Sequence, residues 1–72
     1  MEEIKPGDRV YTTHFIRLSL GDKLISLPKN SRGTVLKSNI QGFKGDLAEI
    51  KFDDGLVGML FVAEFHKGEP HA

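Results

Sequence analysis

His14, His66 and His71 are the side chains best suited to hold a metal, because neutral imidazole is a common zinc ligand. Their spacing does not assemble a site. The chain has no cysteine, no tight histidine pair completes a tetrahedral set, and His71 falls in a polar segment read as a tail. His14 reads as a loop residue after the first strand. Asp46, Glu49, Asp53, Asp54 and Glu64 offer carboxylates for acid and base work. Asp53-Asp54, however, stands directly before Gly55, where turn formation explains it. Ser19, Ser26, Ser31 and Ser38 lie near turns or on faces pointing to solvent, with no base beside them to activate a nucleophile. Gly42 and Gly45 lack the strand-to-helix setting of a phosphate-binding loop. No catalytic residue, metal ligand or cofactor site is expected.

Two clusters remain that could bind. Arg17, Lys23, Lys29, Arg32, Lys37 and Lys44 stand against Asp22 alone between positions 17 and 44. A small domain that gathered these loops on one side would present a basic surface to RNA or DNA, with Tyr11 and Phe43 as stacking platforms. Alternatively, these cations are solvated and keep sheet edges from pairing. The second cluster is apolar: Phe15, Ile16, Leu18, Leu20, Leu24, Ile25 and Leu27 crowd one short segment. Such a segment either caps a thin core or exposes a contact patch for another protein. The contact candidates are Phe15, Ile16, Leu18, Leu20 and Leu24.

The elements that position these residues are short strands punctuated by turns. Pro6-Gly7-Asp8 forms the first break. Arg9-Val10-Tyr11-Thr12-Thr13 follows as a strand, with Val10 and Thr12 on one face. From Phe15 to Leu27 two readings compete. With Gly21-Asp22 as a two-residue turn, Leu20 pairs with Lys23, Leu18 with Ile25 and Ile16 with Leu27. Ile16, Leu18, Leu20, Ile25 and Leu27 then share a face, and only Leu24 breaks the alternation. A helix would instead align Ile16, Leu20, Leu24 and Leu27, at a cost of about 1 kcal/mol for Gly21 in its interior. The hairpin is the preferred reading.

Pro28 to Gly33 reads as a loop, and Thr34-Val35-Leu36-Lys37 as a strand. Ser38 to Asp46, with its Asn and Gly residues, is expected to be a flexible connection. Ala48-Glu49-Ile50-Lys51-Phe52 alternates strictly, sending Ala48, Ile50 and Phe52 inward. Asp54-Gly55 turns the chain back, so Val57, Met59 and Phe61 share a face while Gly58, opposite, marks a bulge or close crossing. Val62 to Phe65 fits a single helical turn ahead of a closing strand. Residues 68–72 are expected to be disordered.

Lys5-Pro6-Gly7-Asp8-Arg9-Val10, Leu27-Pro28, Arg32-Gly33-Thr34-Val35 and Ile50-Lys51-Phe52-Asp53-Asp54-Gly55 occur in an order that resembles small SH3-like barrels. The pattern is similar to KOW-type modules, the nitrile hydratase β-subunit barrel, the variable chain of ferredoxin-thioredoxin reductase and a photosystem I peripheral subunit. The resemblance implies an all-β fold, a five-stranded, partly open barrel with a long first-loop insertion from His14 to Ser31. With no Trp and one Tyr, the chain lacks the aromatic groove that grips polyproline helices.

Seventy-two residues, 39% of them apolar, suffice for one domain, placed at 1–67, and ten basic residues balance ten acidic ones. This neutrality gives no global steering toward nucleic acid. No apolar run approaches the length of a membrane span, and the acidic start does not resemble a secretory signal. The expectation is therefore a cytoplasmic, non-catalytic accessory or regulatory module. It would contact a protein through the 14–31 insertion, or nucleic acid through the basic loops as the alternative.

Overall fold

The computed structural model describes residues 3–69. It is all-β and antiparallel, with strands β1 (Arg9–Thr12), β2 (Ile16–Leu20), β3 (Lys23–Leu27), β4 (Arg32–Gly42), β5 (Gly45–Phe52), β6 (Val57–Phe61) and β7 (Phe65–Lys67). A 3-10 turn, Val62–Glu64, separates the last two. Five strands form one sheet in the order β6-β5-β4-β1-β7, and β2 and β3 form a second sheet of two. The five-stranded sheet is not closed into a barrel.

Turn chemistry accounts for the corners. Gly7 takes φ 93° after Pro6, as position i+2 of a tight turn requires, and its N–H donates to the Val35 carbonyl at 2.7 Å. At the β5–β6 corner Gly55 has φ 97°, and the Asp54 carboxylate accepts the Leu56 N–H at 3.0 Å. The insertion adopts the expected hairpin register, Leu20 opposite Lys23, Leu18 opposite Ile25 and Ile16 opposite Leu27. One helical turn before a closing strand is also found where the sequence placed it.

One expectation is corrected. Ser38 to Asp46 is not a flexible connection: β4 and β5 continue through it, paired as far as Gly42 and Gly45. Asn39, the residue that suggested a loop, holds φ 56° inside the strand, beside the register shifts between Val35 and Ile40. Asparagine tolerates that left-handed conformation, so a bulge rather than a break results. Gly45 at φ 140° then lets a short turn through Phe43 and Lys44 reverse the chain. In β6, Val57 and Met59 share a face opposite Gly58, and that shared face is the outer one. Val57 and Met59 are exposed, whereas Gly58 and Leu60 point inward. Gly58 faces in because Leu18 of the hairpin crosses it; a Cβ there would lie 2.8 Å from Leu18 Cδ1.

The core consists of Val10, Ile16, Leu27, Val35, Ala48, Ile50, Phe52, Leu60 and Phe65, with Ile4, Leu18 and Leu56 packed against it. Burying each large aliphatic side chain contributes about 1.5–3 kcal/mol. Among the described residues Thr12 is the one buried polar residue. Its hydroxyl donates to the Pro28 carbonyl and accepts from the Ser31 N–H, both at 2.9 Å. The loop leaving the hairpin is thereby fastened to β1. Gly68, first of the residues expected to be disordered, donates its N–H to the Arg9 carbonyl at 2.7 Å; Pro70 to Ala72 lie outside the described residues.

Candidate functional site

The β2–β3 hairpin separates its residues by face. Ile16 and Leu27, paired at its base, are each 3% exposed. Ile16 therefore belongs to the core rather than to any surface. Leu18 is half-buried against Gly58. Phe15 and Leu24 are 55% and 68% exposed, and these two carry the apolar surface of the insertion. Leu24 lies opposite Ser19, on the face away from the Ile16 row, which is why it alone broke the alternation. The side chain of Leu20 lies outside the described residues. Arg17 stands over the Phe15 ring, its guanidinium carbon 5.9 Å from the centroid, a cation–π contact that holds the aromatic ring at the surface.

The six cations do not meet on one face. Lys29 and Arg32 border a groove of about 330 Å³ between the 28–31 loop and the β5–β6 turn, where Asp53 and Asp54 line the opposite wall. Lys44 lies at the other end of the β4–β5 hairpin and borders a separate groove with Phe61, Val62 and Glu64. Lys23 sits at the tip of the insertion beside the Gly21-Asp22 turn, and Lys37 lies opposite Glu49 in the sheet. Each cation is exposed. A phosphate backbone following them would have to pass the two aspartates of the first groove.

The densest charge cluster was not singled out in the sequence. Arg9 on β1 forms a two-pronged pair with Asp53, Nη1 to Oδ1 and Nη2 to Oδ2 both at 2.8 Å. Its Nη1 also donates to the Thr34 hydroxyl at 3.0 Å. Glu69 adds contacts to Arg9 at 3.3 Å and Arg32 at 3.8 Å. The Asp53 carboxyl is held below the ordinary aspartate range by the Arg9 side-chain hydrogen bonds, opposed by partial desolvation. The Arg9 guanidinium is correspondingly raised, first by Asp53 and then by Glu69. Asp8 is lowered chiefly because it accepts the Lys5 N–H, with Lys67 adding at 3.5 Å. These contacts tie β1 to the β5–β6 corner and to β7. The signal available was Arg9 at the head of a strand, but nothing in its spacing named Asp53, forty-four positions away.

The remaining nominated residues are dispersed. His66 stacks on Tyr11 across the β1–β7 pair, centroids 5.9 Å apart. His14 is exposed, within 3.1 Å of the Thr13 hydroxyl. Phe43 is fully exposed at the β4–β5 tip. Among the described residues no helix is long and apolar enough to cross a membrane. Comparison of the chain with protein-family models, with curated proteins and with solved structures finds no match.

Proposed function

We propose that this chain is a small non-catalytic binding module of the SH3-like kind, cytoplasmic, which contacts another protein through the 14–31 insertion. The SH3-like reading is supported by the strand order β6-β5-β4-β1-β7, by the long hairpin that follows β1 and by the 3-10 turn that precedes β7. The observation that carries the function is the two-sided hairpin. Ile16 and Leu27 are buried at 3%, while Phe15 and Leu24 are exposed at 55% and 68%. An anchored element that displays large apolar side chains is pre-organised, so binding loses little conformational entropy. The scattered cations and the aspartates among them favour protein over nucleic acid.

The test is co-purification from the native host with wild type and Leu24→Asp in parallel. Leu24→Asp is expected to fold with stability within about 0.5 kcal/mol of wild type, as exposed substitutions do, and to lose the partner protein. A partner retained equally by both would overturn the reading. So would salt-sensitive binding of short RNA or DNA that shifts the resonances of Arg17, Lys29 and Arg32.

A further inference from the structure

We infer that β6 is a self-pairing edge, joining antiparallel to β6 of a second copy of this chain about a two-fold axis at Gly58. Among the described residues strand β6 is terminal in the five-stranded sheet and pairs only with β5. Its five residues, Val-Gly-Met-Leu-Phe, carry no charge and no proline, and their register with β5 has no bulge. It therefore lacks the charges, the proline and the bulge that ordinarily protect an exposed edge. The opposite edge is different: β7 has three residues, including His66 and Lys67, and Lys67 is paired to Asp8.

The direction of the unpaired groups fixes the register. Phe61 donates its N–H to the Glu64 carboxylate at 2.9 Å, so its backbone groups turn away from β5. Backbone direction alternates along a strand, so Val57 and Met59 also present N–H and C=O outward. Among the described residues those four groups have no backbone partner. Phe61 is already occupied, which leaves Val57 and Met59 as the pairing unit. Setting Val57 opposite Met59 of the second copy, and Met59 opposite Val57, satisfies all four groups on each strand. Gly58 then faces Gly58, with no side chain between them.

The surroundings agree. Val57 and Met59 are 40% and 50% exposed. An open groove of about 270 Å³ runs along this edge between Leu18 and Ser19 of the hairpin and the Val57–Met59 strand. Lys51 neighbours Val57 and Glu49 neighbours Met59, so each joined row ends in a lysine from one copy and a glutamate from the other. The chain's zero net charge adds no repulsion between copies. The contact is isologous and closes as a dimer.

The experiment is sedimentation across a concentration series, with Met59→Lys beside wild type. Wild type is expected to move from 8.0 kDa to twice that mass as concentration rises. Met59→Lys is expected to stay monomeric with an unchanged β-sheet spectrum. A wild type that stays monomeric, or a dimer unaffected by Met59→Lys, overturns the proposal. Should Met59→Lys not fold, mixed oxidation of Val57→Cys and Met59→Cys decides the matter in a chain that has no other cysteine. Directly opposite positions about 5.5 Å apart lie within disulfide reach. In an equimolar mixture the cross-linked Val57→Cys with Met59→Cys species should therefore clearly exceed the two same-residue species taken together, whereas a yield no greater than their sum, which random pairing gives, contradicts the register. Leu24→Cys, exposed on the hairpin, is the control for random collision.

Discussion

At the scale of residues, two polar contacts hold the scaffold on which the insertion stands. Thr12 is fully buried with both hydrogen-bonding functions engaged. Thr12→Val keeps the shape and leaves the Pro28 carbonyl and Ser31 N–H without their partner, at an expected cost of about 1–3 kcal/mol in urea unfolding. The Arg9–Asp53 pair behaves differently, because side-chain exposures of 39% and 52% leave it in solvent, where screening weakens ion pairs. Its contribution is read from pH. The folded-state pKa of Asp53 is lower than the unfolded value of about 3.9, so the native state binds fewer protons. That stability is fully present above about pH 4 and is lost as pH falls through the lowered folded value. Asp53→Asn should therefore unfold more easily at pH 7 and show a shallower loss of stability on acidification than wild type. Parallel acid profiles would contradict this.

Among elements, the glycines separate rigid crossings from yielding ones. A Cβ on Gly33 would meet Ile50 Cγ2 at 2.7 Å and the Lys51 carbonyl at 2.8 Å, within the β4–β5 ladder. At Gly58 the obstacle among the described residues is the end of the Leu18 side chain, which can rotate. Gly33→Ala is expected to cost about 1–3 kcal/mol by overpacking against backbone, and Gly58→Ala clearly less. Equal losses in thermal unfolding would refute the distinction. The hairpin register was legible in the sequence because Gly21-Asp22 sits midway between matching apolar residues. The β5 alternation was legible for the same reason, a period of two with one face buried. The reach of β4 to Gly42 was hidden because Asn39 and the two following glycines signal a turn locally, and only pairing with β5 turns that signal into a bulge. The inward face of β6 was hidden too: a glycine faces the core there, and the residue that fills its space, Leu18, comes from another element forty positions earlier.

For the molecule as a whole, the sequence could nominate the apolar insertion as a contact surface but could not divide it. Ile16 and Leu24 are equally hydrophobic, and only the register against β3 and the closeness of β6 decide that one is buried and the other displayed. The basic residues between positions 17 and 44 were likewise visible as a group. Their dispersal over the hairpin tip, the 28–31 loop and the far β4–β5 turn follows from topology. Leu27→Ala should cost about 2–5 kcal/mol, as cavity-forming core substitutions do, and Leu24→Ala within about 0.5 kcal/mol, although both remove the same atoms from the same strand. The central claim, that the displayed face of the hairpin is what a partner protein meets, is tested most directly by methyl NMR of leucine-labelled protein in extract of its native host. The account predicts that the Leu24 methyl signals weaken while those of Leu27 and Leu60 persist. Unchanged Leu24 signals, or an equal loss at all three, would contradict it.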